Sequence, residues 1–120
     1  MKAVVRVELG CPGHFICAAD CRWRRHTQVG HYRVSSVGDL YYKSEPDKRQ
    51  TMGATGFFET MVFETLNEQD DKNEGCGCRK VKARSKVDGK RYETAGEAQA
   101  GHEAFVRKYA RLAARKRRKP

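Results

Sequence analysis

Apolar and polar residues alternate over several short runs in the N-terminal half of the chain, a pattern typical of β-strands with one buried face. Five such runs predict strands, at residues 2–9, 14–18, 22–29, 31–37 and 40–43. Gly-Cys-Pro-Gly predicts a hairpin turn between the first two runs, and Gly38 with Asp39 predicts a turn between the last two. Pro46 and its charged neighbours predict a loop.

The most hydrophobic run, FFETMVFET at residues 57–65, predicts a central strand of the sheet. It contains two acids, Glu59 and Glu64, so the predicted strand carries carboxylates into the sheet. The residues that follow, 66–77, are rich in acids and contain glycines. They predict a surface loop.

Strict alternation returns after residue 79 and ends at Asp88-Gly89, a dipeptide preferred in type I′ hairpin turns, so residues 90–93 predict the returning strand. Thr94 and Glu97 match a capping box, which predicts that a helix begins there. An apolar stripe at helical spacing follows, formed by Ala98, His102, Phe105, Tyr109 and Leu112.

Together these elements predict an α+β fold, in which one C-terminal amphipathic helix packs on an antiparallel sheet of five to seven short strands. The chain has 120 residues, which is enough for a single core. We therefore expect one β-rich domain at residues 1–112, with its helix starting near residue 95, and a basic tail at 113–120.

The formal net charge of +10 is concentrated near the C-terminus. Eight cations with no acid among them lie there, at Arg107, Lys108, Arg111, Arg115, Lys116, Arg117, Arg118 and Lys119. The rest of the chain is nearly neutral, because it contains the other 17 of the 25 basic residues and all 15 acids. This end therefore carries most of the field that would attract a polyanion.

The opening residues carry Arg6 and Glu8 within their apolar run, which argues against a signal peptide. No apolar stretch approaches the roughly 18 residues of a membrane span. We expect a cytoplasmic protein with no membrane contact.

An odd number of cysteines, five, in a chain with no predicted signal peptide favours thiol or metal chemistry over disulfides. Four residues that could bind zinc lie within residues 11–21, and two further cysteines lie much later in the sequence. The candidate zinc ligands are Cys11, His14, Cys17, Cys21, Cys76 and Cys78. The alternative is that Cys17 is a small buried residue and the other thiols are incidental.

Two further basic patches would contact nucleic acid. The first is a strand face made by Lys80, Lys82, Arg84 and Lys86, with Arg91 beside Lys86 across the predicted hairpin. The second consists of Arg22, Trp23, Arg24 and Arg25, where the indole would stack on a base while the arginines contact phosphate. The alternatives are an edge strand protected by lysines and a packed tryptophan with solvated arginines.

Enzymatic chemistry has weaker support. A histidine, a thiol and a carboxylate would suffice for nucleophilic catalysis, and His14, Cys21 and Glu59 are the candidates. No phosphate-binding loop, dinucleotide motif, zinc-protease motif or serine elbow is present. Glu59 would serve in a structural ion pair as readily as in catalysis.

Three segments resemble a group of small phage and prophage proteins of uncharacterised function: GHFICAADCRWRRHT, YRVSSVG and FFETMVF, at residues 13–27, 32–38 and 57–63. The resemblance implies a phage-encoded accessory protein that acts in the cytoplasm of the infected cell. The matching positions are His14, Cys17, Cys21, Arg25, Thr27, Ser35, Glu59 and Thr60. Cys11 and the basic C-terminal extension depart from the pattern of that group.

We expect an accessory protein that binds nucleic acid through the basic strand face and the C-terminal cations. The alternative is an anti-defence inhibitor, for example an anti-CRISPR protein, that binds a host protein or ribonucleoprotein complex. A third reading is a small enzyme that uses the Cys/His/Glu set. Zinc is the one cofactor that the residues suggest.

Overall fold

The computed structural model describes residues 6–9, 21–51, 56–66 and 79–118, with the backbone alone at 83–85 and 116–118. In this part of the chain six strands precede one helix: β1 (Arg6–Leu9), β2 (Cys21–Val29), β3 (Tyr32–Tyr42), β4 (Glu45–Gln50), β5 (Phe58–Thr65), β6 (Val81–Tyr92) and α1 (Ala95–Arg118). The predicted strand at 14–18, the acidic segment from 67 and residues 119–120 lie outside the described residues.

All strand pairs are antiparallel, and the order across the sheet is β1-β2-β3-β5-β6. β3 lies at the centre of this order. β2 pairs along one side of β3, and on its other side the first part of β3 pairs with β5 and its last residues pair with β4. One helix packs against this sheet, so the predicted α+β class is confirmed.

Two predicted turns are wrong, because both glycine-aspartate pairs lie inside strands. β3 continues through Gly38 and Asp39, where Asp39 adopts a left-handed backbone conformation (φ 56°) and the pairing of the strand changes from β5 to β4. β6 continues through Asp88 and Gly89, which lie opposite Val62 and Met61 of β5. The predicted loop around Pro46 is instead the exposed strand β4, and proline is tolerated in such edge strands.

Helix α1 begins at Ala95, and the predicted capping box is present: the Glu97 backbone N–H donates to Thr94 Oγ1 at 3.2 Å, while the Thr94 hydroxyl donates to the Glu97 carboxylate at 3.0 Å. The helix continues to Arg118, so residues 113–118 extend the core helix. Ala113 is itself buried, at 4% exposure.

Among the described residues, helix and sheet meet in two apolar clusters. The larger contains Val29, Tyr32, Val34, Val62, Val106, Tyr109 and Ala113, and the smaller contains Phe58, Tyr92 and Ala98. Phe105 and Leu112, expected in the core, are only partly buried at the edge of the larger cluster. His102 lies between the two clusters along α1 and is fully buried.

Candidate functional site

A line of hydrogen-bonded polar side chains crosses the interface between helix and sheet at His102. Its Nε2 lies 2.8 Å from Thr27 Oγ1, and its Nδ1 lies 2.7 Å from Ser36 Oγ. Ser36 Oγ is in turn 2.5 Å from Thr60 Oγ1. The three hydroxyl residues come from β2, β3 and β5 and are as fully buried as the histidine. We call these four residues the His102 network.

The carboxylate of Glu8 fixes the direction of the hydrogen bonds. An ionised carboxylate only accepts, so the Thr27 hydroxyl donates to Glu8 Oε2 at 2.9 Å. The Thr27 oxygen therefore accepts from the Nε2–H of His102, and in the neutral ring Nδ1 accepts from the Ser36 hydroxyl. A neutral imidazole fits this arrangement, and burial lowers the pKa of His102 to about 4.

Ion pairs cover the outer end of the His102 network. Arg6 Nη1 donates to Glu103 at 2.9 Å, Arg25 also binds Glu103, and both arginines bind Glu8. The Arg6 hydrogen bond is the main cause that lowers the pKa of Glu103 to about 2. Burial raises the pKa of Glu8, but hydrogen bonds from Arg6, Arg25 and Thr27 outweigh it and the pKa is lowered. The cluster therefore joins β1 and β2 to α1 through paired charges.

This network cannot act directly on a substrate. Both ring nitrogens of His102 are occupied, and no part of the residue reaches solvent. Its role is structural: it satisfies polar groups that would otherwise be buried without partners between the two apolar clusters.

The predicted catalytic residues are not assembled in the described part of the chain. Glu59 lies opposite Val37 and is 3.1 Å from Arg91 Nε, so its carboxylate is held in an ion pair. Cys21 is buried at 2% exposure, so its sulfur is shielded from solvent. His14 lies outside the described residues.

The zinc hypothesis falls mostly on residues that the structure does not describe. Cys11, His14, Cys17, Cys76 and Cys78 all belong to that part of the chain. Among the described residues, no group of three histidine, cysteine or acidic side chains is placed to hold a metal ion. A zinc site stays a prediction.

The basic strand face differs from its prediction in geometry and in partners. β6 advances from Val81 to Lys86 while β5 advances only from Phe63 to Thr65, so the regular spacing expected for an ideal strand is lost there. Lys80, Lys82 and Lys86 are exposed, but Lys82 lies 3.6 Å from Glu64. The side chain of Arg84 is not described.

Arg91 is not beside Lys86 across a hairpin. Both residues belong to β6, because the predicted turn between them is absent. The Arg91 side chain binds Glu59 instead.

The side chains of residues 22–25 lie in different environments. Trp23 packs edge-on against Phe58, with ring centroids 5.7 Å apart, so the indole is partly buried at the edge of the smaller apolar cluster. Arg25 is bound to Glu8 and Glu103. The Arg22 guanidinium lies 4.2 Å from the centre of the Tyr41 ring, and Arg24 is exposed.

The outer surface of α1 carries a further row of cations. Arg107, Arg111 and Arg115 recur every four residues, are exposed, and have no acidic partner in the described structure. At about 1.5 Å of rise per residue they stand roughly 6 Å apart along the helix. They lie on the side opposite the buried residues Val106, Tyr109 and Ala113. We call these three residues the arginine stripe. Lys116, Arg117 and Arg118 continue the helix backbone beyond it, and Lys119 lies outside the described residues.

Lys108 is adjacent to the stripe but differs from it. Its Nζ lies 2.7 Å from Asp88 Oδ2, and the Tyr109 hydroxyl donates to the same oxygen at 2.9 Å. The hydrogen bond from Lys108 is the main cause that lowers the pKa of Asp88. Asp88 therefore anchors α1 to β6, a long-range role that a turn motif in the sequence does not reveal.

A groove of about 580 Å³ opens between α1 and the last part of β6. It is lined by Lys90, Arg91, Tyr92 and Glu93 from the strand side and by Glu97, Ala100, Gly101, Ala104, Phe105 and Lys108 from the helix. No sequence motif indicated this groove, because its two walls are brought together only by the packing of the helix.

Comparison with protein-family models, curated proteins and solved structures finds no match for this chain. Within the described residues, no helix is both long and apolar enough to span a bilayer.

Proposed function

We propose that this protein binds nucleic acid and that the arginine stripe of α1 is its principal phosphate contact. The observation that carries the proposal is a contrast in pairing. Arg25, Arg91 and Lys108 each have a carboxylate partner. The three arginines of the stripe have none among the described acids, although they share one helix face.

Helix stability alone does not account for the stripe. Cations near a helix C-terminus interact favourably with its dipole, but this effect is confined to about the last turn. Arg107 and Arg111 lie well before the end of α1 at Arg118. An unpaired row of guanidinium groups is instead suited to phosphate oxygens, which they bind with charge-assisted hydrogen bonds.

Polyanion binding also explains the distribution of charge along α1. No acid follows Glu103 in the sequence, so the helix presents only cations and neutral residues from that point. Phosphate contacts of this kind fix orientation and supply affinity without reading the base sequence. The resemblance to small phage proteins adds to this proposal a phage-encoded accessory role.

Reversing two charges of the stripe tests the proposal. We expect Arg111→Glu with Arg115→Glu to weaken binding to duplex DNA by about tenfold or more, on all sequences alike. The slope of log K against log salt should become shallower by roughly 2, since about 0.9 of an ion is released per B-DNA phosphate contact. Fluorescence anisotropy over a series of salt concentrations measures both quantities.

The matched control is Lys80→Glu with Lys86→Glu, which alters two exposed lysines, one just before β6 and one within it. Both double variants lower the net charge from +10 to +6, at four charges per pair. If both double variants lose the same affinity, only net charge matters for binding. A larger loss in the Lys80/Lys86 variant would show that the interface is the basic strand face. If the wild-type protein binds no nucleic acid, and a host protein complex co-purifies with it after nuclease treatment, the inhibitor hypothesis replaces this one.

A further inference from the structure

We infer that the groove between α1 and β6 is a nucleotide site that takes an unpaired base of a single strand bound along the arginine stripe. This inference rests on the proposed function and specifies its substrate as single-stranded nucleic acid. The two surfaces are continuous, because Ala100 and Ala104 precede Arg107 and Arg111 on the same flank of the helix. A strand that follows the stripe towards the start of α1 would therefore enter the groove.

The charges that line the groove are separated along its length. Lys90 and Lys108 lie at the end nearest the arginine stripe, next to Asp88. Glu93 and Glu97 lie at the other end, where β6 leads into α1. Asp88 neutralises Lys108, so Lys90 is the cation of this end that has no described acidic partner; its Nζ lies 5.6 Å from the centre of the Tyr92 ring.

A nucleotide matches this separation. Its phosphate would meet Lys90 and the first arginines of the stripe, while carboxylates at the far end would accept hydrogen bonds from an exocyclic amino group, as they do from cytosine. The helix wall between these ends is uncharged, with Ala100, Gly101, Ala104 and Phe105. A volume of about 580 Å³ is within the common range of small-molecule sites, roughly 300 to 1,000 Å³.

The outer edge of β6, with which no described strand pairs, adds backbone groups to the site. β6 is the last strand in the sheet order of the described residues. The Tyr92 carbonyl is occupied by the Phe57 N–H at 3.0 Å. In an antiparallel ladder neighbouring residues alternate in direction, so the N–H and C=O of Arg91 point towards the outer edge. They would be available to the edge of a bound base.

Duplex nucleic acid cannot use the groove in this way, because its bases are paired and stacked. It would contact the arginine stripe alone. The inference therefore predicts a preference for single strands with bases over both duplexes and base-free chains.

Filling the groove tests the inference without removing a charge. Ala104→Leu adds a large side chain at an exposed helix position where the helix propensity changes little. We expect wild-type protein to bind a short oligocytidylate more tightly than a base-free chain of equal length, by about fivefold to a hundredfold, and Ala104→Leu to remove most of this difference. Binding to duplex DNA should stay unchanged, since the arginine stripe is intact.

Gln99→Leu is the matched control, because it places the same side chain on an exposed position of α1 that does not line the groove. It should retain the preference for chains with bases. If wild-type protein binds oligocytidylate, base-free chain and duplex equally, or if Ala104→Leu keeps the preference, the nucleotide site is wrong while the arginine stripe still stands. If no nucleic acid is bound at all, the proposed function itself fails.

Discussion

Replacement of His102 by alanine should destabilise the protein by about 3 to 5 kcal/mol, the largest loss that we expect from a single change. The imidazole fills space between the two apolar clusters and holds Thr27 and Ser36 by hydrogen bonds of 2.8 and 2.7 Å. Its removal leaves a cavity and two hydroxyl groups that lose a partner in a region with no solvent access. Urea denaturation followed by circular dichroism measures the loss.

The same histidine should make stability depend on pH in weakly acidic solution. Burial lowers the pKa of His102 from 6.5 to about 4, so between these values the unfolded chain binds a proton that the folded chain does not. Stability therefore falls as the pH drops through this window, by roughly 3 kcal/mol in total before any screening is considered. Arg25 and His26 favour the neutral ring, whereas Glu8 and Glu103 oppose them without reversing the shift.

The upper part of the window separates the contribution of His102 from those of the two carboxylates. Glu8 and Glu103 also have lowered pKa values, but their contribution is lost only as the pH falls below about 5, where the unfolded carboxyls begin to protonate. Between pH 6.5 and 5 we expect His102→Gln to flatten the profile.

A direct measurement does not depend on whether these variants fold. Nitrogen-15 NMR of the wild-type ring should show a neutral imidazole with the proton on Nε2 at pH 6. An imidazolium at that pH, or a proton on Nδ1, would contradict the hydrogen-bond directions deduced from Glu8.

Local patterns in the sequence were sufficient for the strands with a clear alternation and for the helix. They failed at Gly38-Asp39 and Asp88-Gly89, where a turn dipeptide lies inside a strand. β5 pairs with Gly38 and with both Asp88 and Gly89, and this strand pairing outweighs the local preference for a turn. Asp88 also gains Lys108 and Tyr109 as partners, contacts that a local window cannot include.

The candidate sites were harder to predict because they depend on residues far apart in the sequence. The His102 network joins four elements, and its only local sign is a histidine within an apolar helical stripe. Trp23 shows the converse: its cationic neighbours suggested base stacking, but β5 supplies Phe58 as its aromatic partner. The arginine stripe depends on helical periodicity alone, since its three residues recur every four positions of α1.

Two glycines of α1 should respond in opposite directions to the same change. A Cβ at Gly101 would overlap the phenol of Tyr92, whereas a Cβ at Gly96 meets no atom within 4 Å. Gly96→Ala should therefore stabilise the protein by up to about 1 kcal/mol, because alanine favours the helix. Gly101→Ala should destabilise it by about 1 to 3 kcal/mol, because the Tyr92 ring is buried at 7% exposure and has little room to move.

A double-mutant cycle attributes the second effect to the contact itself. In a Tyr92→Ala background the obstacle is gone, so Gly101→Ala should become neutral or stabilising, as at Gly96. The midpoints of urea denaturation of the four proteins in the cycle give the coupling energy. A penalty for Gly101→Ala that persists without the ring would show that the packing of α1 on β6 differs from that described, and with it the groove in which we place the nucleotide.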